Sequence, residues 1–352
     1  MIPFSKKELI SLFLLFFIVA VLVFSSRTYR LYSDQALQTD VPVSVDLYET
    51  TNLENLTVTL DSLQVQFDAD ELKWAGRTLG WRTFRSGRYV IDGSVSYSDF
   101  LSNMARGIQT PARVTVLSGS DKGRFARSLG RQLRADSTSF RLVFEDESEL
   151  ARELGLSGGE LFSRMLPDTY EIFWTSSPES VVRRIYSEFE RQITRRYQDE
   201  VTEHFLNFNE IITMASIVEW EARVNTEKPK ISGLYLNRLN RNMRLQADPT
   251  VIYALGERRR LLFEDYTIEH PYNTYIIDGL PPGPITNPDA ASIRAVLNPE
   301  DHDYLFMVAT PDGSHAFSRT FEEHRLASAE WRRWIREQYR LRDEMERDNP
   351  EN

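Results

Sequence analysis

The stretch "MASIVEWEARVN", Met214 to Asn225, is an apolar run carrying two glutamates two residues apart. It reads as a helix facing a core. Residues two apart lie about 200° apart around a helix axis, so Glu219 and Glu221 cannot share a face. One can be solvated while the other points inward or into a cleft, and an inward carboxylate needs a chemical reason. At three and four residues from Glu219 stand Ala215, Ser216, Ala222 and Arg223, small residues beside one acid, as though space were left. Glu221 has Ile217, Val218, Val224 and Asn225 at those distances, a bulkier and more apolar surround. Periodicity does not choose between them. A Glu219–Arg223 surface pair at i,i+4, worth about 0.2–0.5 kcal/mol, is the plain alternative.

Working outward, "SPESVVRRIYSEFERQI" predicts an amphipathic helix with Ser177 as N-cap, Pro178 at the first helical position and Val181, Val182, Ile185, Phe189 and Ile193 on one face. "EKPKISGLYLNRLNRNMRL" predicts another, with Ile231, Leu234, Tyr235 and Leu239 inward. After Leu245 the texture turns to loops, including "HPYNTYIIDGLPPGPITNP", and an ordered loop wall between helices is a common place for a binding site. "DYLFMVATPDGSHAFSRTF" reads as a short β-hairpin, and a charged, Trp-bearing helix follows from Phe321.

At the amino terminus, Lys6 and Lys7 precede an uncharged apolar run from Leu9 to Phe24, near the lower limit of ~17 residues for crossing a bilayer. No A-x-A-like cleavage site follows, so an uncleaved single-pass anchor is expected rather than a signal peptide. Residues 33–51 read as a polar tether. "LTVTLDSLQVQF" from Leu56 alternates like a half-buried strand. Helices beginning near Asp68 or Asp70 and holding Phe100, Leu101 and Met104, strands at Tyr89–Ile91 and Val114–Leu117, and a helix with Phe125, Ala126 and Leu129 complete a small α+β module.

The fold class expected is therefore α+β. It comprises a tip and transmembrane anchor over 1–30, a tether over 31–51, a small module over 52–135, a mainly helical domain with a loop-lined cleft and the hairpin over 136–330, and a charged helix or tail over 331–352. With 41% hydrophobic and 27% charged residues the chain is globular in composition. A net charge of −10, with arginines interleaved among acids, argues against a nucleic-acid partner. The absence of cysteine excludes disulfides, thiolate metal sites and a cysteine nucleophile, and five histidines show no metal-ligand spacing, so neither metal nor cofactor is expected.

Three clusters hold chemistry-bearing groups: the two glutamates, "MRLQADPTVIYALG" and "YNTYIIDGLPPGPITNP". Gln246 and Asp248 precede Pro249, where an extended or turn backbone leaves side chains free to face a cleft, though Asp248 could equally cap the next helix. Tyr272, Asn273 and Tyr275 suit sugars, since rings stack on pyranose faces and amides meet hydroxyls. His315, alone in "GSHAFS", reads as structural.

"ASIVEWEA", "NRLNRNMRLQADPTVIYALG", "YNTYIIDGLPPGPITNP" and "HAFSRTFEEH", in this order, resemble the endolytic murein transglycosylases of the MltG (YceG-like) family. "LPDTYEIF" and the amino-terminal anchor resemble it too. The match is dense over about 160–325, and the module at 52–135 is similar to the family's LysM-like region. The resemblance implies cleavage within glycan strands of the β-1,4 bond between N-acetylmuramic acid and N-acetylglucosamine, leaving 1,6-anhydro ends. It implies Glu219 as the catalytic acid, with Gln246, Asp248, Asn273 and Tyr275 binding substrate. It further implies an extracytoplasmic active region, and peptidoglycan strands, the membrane and wall synthases as partners. Two rivals stand beside it: a hydrolase using Glu219 and Asp248, and a non-enzymatic wall-binding scaffold.

Overall fold

Ser5 opens the first helix, Lys6–Tyr32: its hydroxyl accepts from the Glu8 N–H while the Glu8 carboxylate accepts from its own N–H. These 27 residues form one helix long and apolar enough to cross a membrane. The computed structural model describes residues 5–222 and 224–348. Arg223, the surface partner weighed as the plain alternative for Glu219, lies outside the described residues, as do the extreme ends of the expected tip and tail.

The chain divides into two compact units. The first holds the residues up to Val114 together with Gln132–Ala135 and Glu171–Ser176. The amino-terminal helix ends inside it. Leu31 is buried in its core, and Arg30 makes two bonds of 2.7 and 2.8 Å to Glu71 with its guanidinium 3.9 Å from the Trp74 ring. The expected tether is built into sheets. Leu37–Gln38 pairs on both edges, with Gln66–Phe67 and Ser94–Val95, and Val43–Leu47 runs antiparallel to Gly87–Ile91 with Arg88 bridging to Asp46 opposite.

Leu56 to Asp61, expected as a strand, is helical instead, within Leu53–Ser62. The alternation of Thr57, Val58 and Thr59 suggested period two. Leu53, Leu56 and Leu60 also fit a helical stripe, and the Asn52 side chain caps it by accepting from the Asn55 N–H, leaving Val58 exposed. The remaining helices, Ala69–Leu79 capped by Asp68 and Tyr97–Arg106 burying Phe100, Leu101 and Met104, form where their patterns place them.

The second unit gathers Thr115–Arg131, Asp136–Tyr170 and the chain from Ser177 onward. The helix Lys122–Gln132 thus belongs here through Arg131. Phe125, Phe144 and Phe162 meet edge to face at 5.4–5.7 Å, and that aromatic triangle holds it. Ser177 caps Pro178–Phe189 as its sequence signals. At the centre lies Phe208–Glu221, whose eight residues from Ile211 to Val218 are all buried. A helix buried all round is a core element, and two others flank it, Lys228–Asn240 and Ala290–Leu297. Phe306–Ala309 and His315–Ser318 pair antiparallel, with Phe306 opposite Ser318, and lead into the long helix Phe321–Asp348.

Candidate functional site

Both glutamates of the opening stretch fall in the last turn of the central helix, where the macrodipole disfavours negative charge. The fold treats them differently. Glu219 Oε2 accepts from Lys228 Nζ at 3.1 Å, from Ser292 Oγ at 2.7 Å and from the Asp289 N–H at 3.2 Å. Lys228, itself buried, also reaches Asp289 at 2.9 Å. Burial opposes ionisation of Asp289, but the Lys228 ammonium and the Ser292 N–H hold its carboxyl below the ordinary value. A buried ammonium shared between two acids, with a helix start donating alongside, is an ion network that locks three elements together.

The small residues one turn before Glu219 do not leave a gap. Ala215 and Ser216 are wholly buried, and the Ile285 N–H donates to Ser216 Oγ at 3.0 Å. Small side chains there let the loop and the Ala290–Leu297 helix approach the central helix, so protein fills the space at Ala215 and Ser216, while Glu219 itself borders a separate cavity of about 610 Å³.

Glu221 has no cation bonded to it among the described residues. Its Oε1 accepts from the Tyr235 hydroxyl at 2.8 Å, and it lines a cleft of about 600 Å³. Desolvation by the surrounding walls pushes its carboxyl up to about 7, and the neighbouring Asp248 charge adds to this. The Tyr235 hydroxyl and Arg238 pull the other way without cancelling it. Arg238 is committed to the frame, donating to the carbonyls of Leu305 at 2.6 Å and Leu245 at 2.7 Å.

The opposite wall is the loop region. Gln246, Asp248 and Tyr275 line the cleft with Glu221. Gln246 sits at φ 49°, a left-handed conformation unusual for a non-glycine, held by its N–H to Thr274 O at 3.1 Å. Asp248 opens the helix Asp248–Leu255, as its position before Pro249 allows, but its carboxylate turns to two tyrosines. Tyr275 Oη donates to it at 2.6 Å and Tyr266 Oη at 3.4 Å, and those rings lie 4.5 Å apart. Asn273 departs from its expected role. It is 0% exposed, donates to the carbonyls of Tyr266 and Ile268, and accepts from the Tyr275 N–H, so it shapes the loop and does not line the cleft. His315 lies 2.9 Å from Glu227.

Sequence reasoning missed Tyr235 and Lys228. Each stands on the helix after the acids, and only packing reveals which acid it meets. The bulky surround of Glu221 was the available signal, because apolar neighbours are what desolvate a carboxyl.

A sequence model of the YceG-like family matches residues 45–330. An endolytic murein transglycosylase of Bacillus subtilis is 28% identical over 70% of this chain and 73% of its own length. One of Streptococcus pneumoniae is 26% identical over 80% of this chain and 57% of its own length. The crystal structure of a yceG-like protein from Listeria monocytogenes superposes with a TM-score of 0.57 at 26% identity, covering 82% of this chain and 100% of that one. The matched span includes the acidic helix end, the Gln246–Asp248 turn and the tyrosine loop: the chain belongs to the YceG-like family.

Proposed function

We propose that this protein cleaves murein glycan strands as a membrane-anchored lytic transglycosylase, with Glu221, not Glu219, moving the proton. The observation that carries the reading is a carboxyl held near pKa 7 in a cleft it shares with Gln246, Asp248 and Tyr275. A group protonated near neutral pH can donate, which a general acid must do first.

Glu221 gives its proton to the glycosidic oxygen between muramic acid and glucosamine as the bond from C1 breaks. The muramic 6-hydroxyl then closes on C1, and its proton returns to Glu221, leaving a 1,6-anhydro end. The nucleophile belongs to the substrate, so one carboxyl serves both steps and the second carboxylate of an ordinary glycosidase has no task. Tyr235 occupies Oε1 and orients the group, and among the described residues Oε2 accepts no hydrogen bond and is left for the substrate. Strain at Gln246 is the kind of feature that binding sites retain, and its amide suits an N-acetyl group. Asp248 anchors Tyr275 as part of an aromatic wall for a pyranose ring.

A hydrolase would need Asp248 to take a proton from water, yet tyrosine hydroxyls engage both of its oxygens. Mass spectrometry of murein digested by the protein tests the proposal. Anhydro ends support it; reducing ends, heavier by one water, point to hydrolysis; binding without cleavage points to a scaffold. By the same resemblance the first unit is read as a LysM-like glycan-binding module, where Trp81, Lys73 and Arg77 border a cavity of about 570 Å³. The same reading has the active region work outside the cytoplasm, beside wall synthases.

A further inference from the structure

A second cavity of about 610 Å³ shares Trp220, Pro249 and Ile252 with the Glu221 cleft, so one wall separates the two. Its other lining is cationic: Arg124, Arg258, Arg259 and Arg260. These arginines are not equivalent. Arg259 is neutralised by Asp265 and Glu257, at 2.6 Å each. Arg258 spends one nitrogen on the Gly119 carbonyl at 2.8 Å and lays its guanidinium 4.1 Å from the Trp220 ring, keeping its full charge. Arg124 and Arg260 have no acidic partner among the described residues, and both are exposed. The one carboxylate in the lining, Glu219, shares the Lys228 ammonium with Asp289, so a single negative charge faces three free guanidiniums.

Three uncompensated guanidiniums around a concavity make an anion site of the planar, bidentate kind that carboxylates and phosphates fill. The sugars of murein are neutral at their hydroxyls and N-acetyl groups. Its anions are the carboxylates of the peptide carried on the lactyl ether of each muramic acid, within one sugar of any cut. We infer that the arginine cavity receives the carboxylates of this stem peptide, so that the enzyme prefers peptide-bearing strands over denuded ones. The inference rests on the reading of the Glu221 cleft as a murein site. Trp220, bonded through Nε1 to Gly119 O at 3.0 Å, is the fixed partition that lets sugar and peptide be held on its two sides.

Binding to full-length Glu221→Gln protein in detergent, followed by tryptophan fluorescence, tests the cavity without cleavage. Peptide-bearing strands are expected to bind about tenfold more tightly than amidase-stripped strands, the equivalent of one charge-assisted contact. The preference should shrink with added salt. Adding Arg124→Gln and Arg260→Gln should bring the two affinities together, while Lys at both positions should restore much of the difference, which also controls for misfolding. Equal affinities in the parent, or a preference that survives the double Gln variant, would overturn the inference. So would affinity that follows a lipid pyrophosphate terminus on the strand and ignores the peptide. Cleavage by the wild-type chain is scored separately: absence of anhydro ends sinks the lytic reading and leaves the peptide preference legible.

Discussion

The Tyr235 hydroxyl donates to Glu221 Oε1 at 2.8 Å from the helix that follows the acidic one. This bond spares the second oxygen and fixes the carboxyl while its environment keeps it protonated near neutrality. Glu221→Gln preserves the shape and removes the proton. Formation of anhydro ends should fall by about 10²–10⁴-fold, with melting temperature and strand binding little changed. An active, folded Glu221→Gln would remove this group from the chemistry.

Glu219→Gln should behave in the opposite way. It leaves buried Lys228 with Asp289 alone and weakens the bonds from Ser292 and the Asp289 N–H. A loss of about 1–3 kcal/mol in denaturant unfolding is expected, with a smaller effect on turnover by the folded fraction. A stable but dead Glu219→Gln would return the proton to the other acid.

The pH dependence follows from the raised Glu221 value. As the acid, Glu221 must be protonated, so kcat/KM should decline above about pH 7. Tyr235 lowers that value, so Tyr235→Phe should move the alkaline limb to higher pH. Stability gives an independent check. The folded protein binds a proton at Glu221 that the unfolded chain releases nearer 4.5, so stability is lost as pH rises between these values. Glu221→Gln should flatten the profile in that window; an unchanged slope there would count against a buried carboxyl.

Asn273→Ala should act on the loop rather than on a sugar. It breaks two donated bonds and the one accepted from the Tyr275 N–H, at a cost of about 1–3 kcal/mol. Its binding defect should be recovered by lowering the temperature, as expected if Tyr275 is merely misplaced. A defect that persists in a fully folded variant would argue for direct contact.

Gly119 stands at φ 61°, and a Cβ there would meet the Trp220 ring at 3.2 Å. Gly119→Ala should destabilise by about 1–2 kcal/mol for the backbone alone and shift tryptophan emission as the indole moves. An unaltered spectrum and stability would mean that the turn tolerates a side chain.

Local signals were legible where a residue acts on its own helix or turn. Ser177 and Asp68 cap as their types demand, and Gln246, Asp248 and Tyr275 gather on the cleft wall that their Pro-rich surroundings suggest. The two acids were legible as a pair but not in their partners, Lys228 and Tyr235, whose faces are set by packing. Small neighbours at Glu219 suggested an opening, yet small residues serve close helix contact equally well. Leu56 to Asp61 shows a related ambiguity: its β-branched alternation and its leucine stripe are both in the sequence, and the Asn52 cap and core decide for the stripe.

The junction at Arg30 and Leu31 has a mechanical meaning. Twenty-seven helical residues at 1.5 Å each extend about 40 Å, and a bilayer interior of about 30 Å takes up some twenty of them. The short remainder is clamped by Glu71, Trp74 and the core around Leu31. With no pliant joint between the bilayer and the first unit, the helix works as an axle, not a leash. Its tilt and rotation in the lipid become the tilt and rotation of the unit it carries, and the height of that unit above the headgroups is set by the length of a single helix.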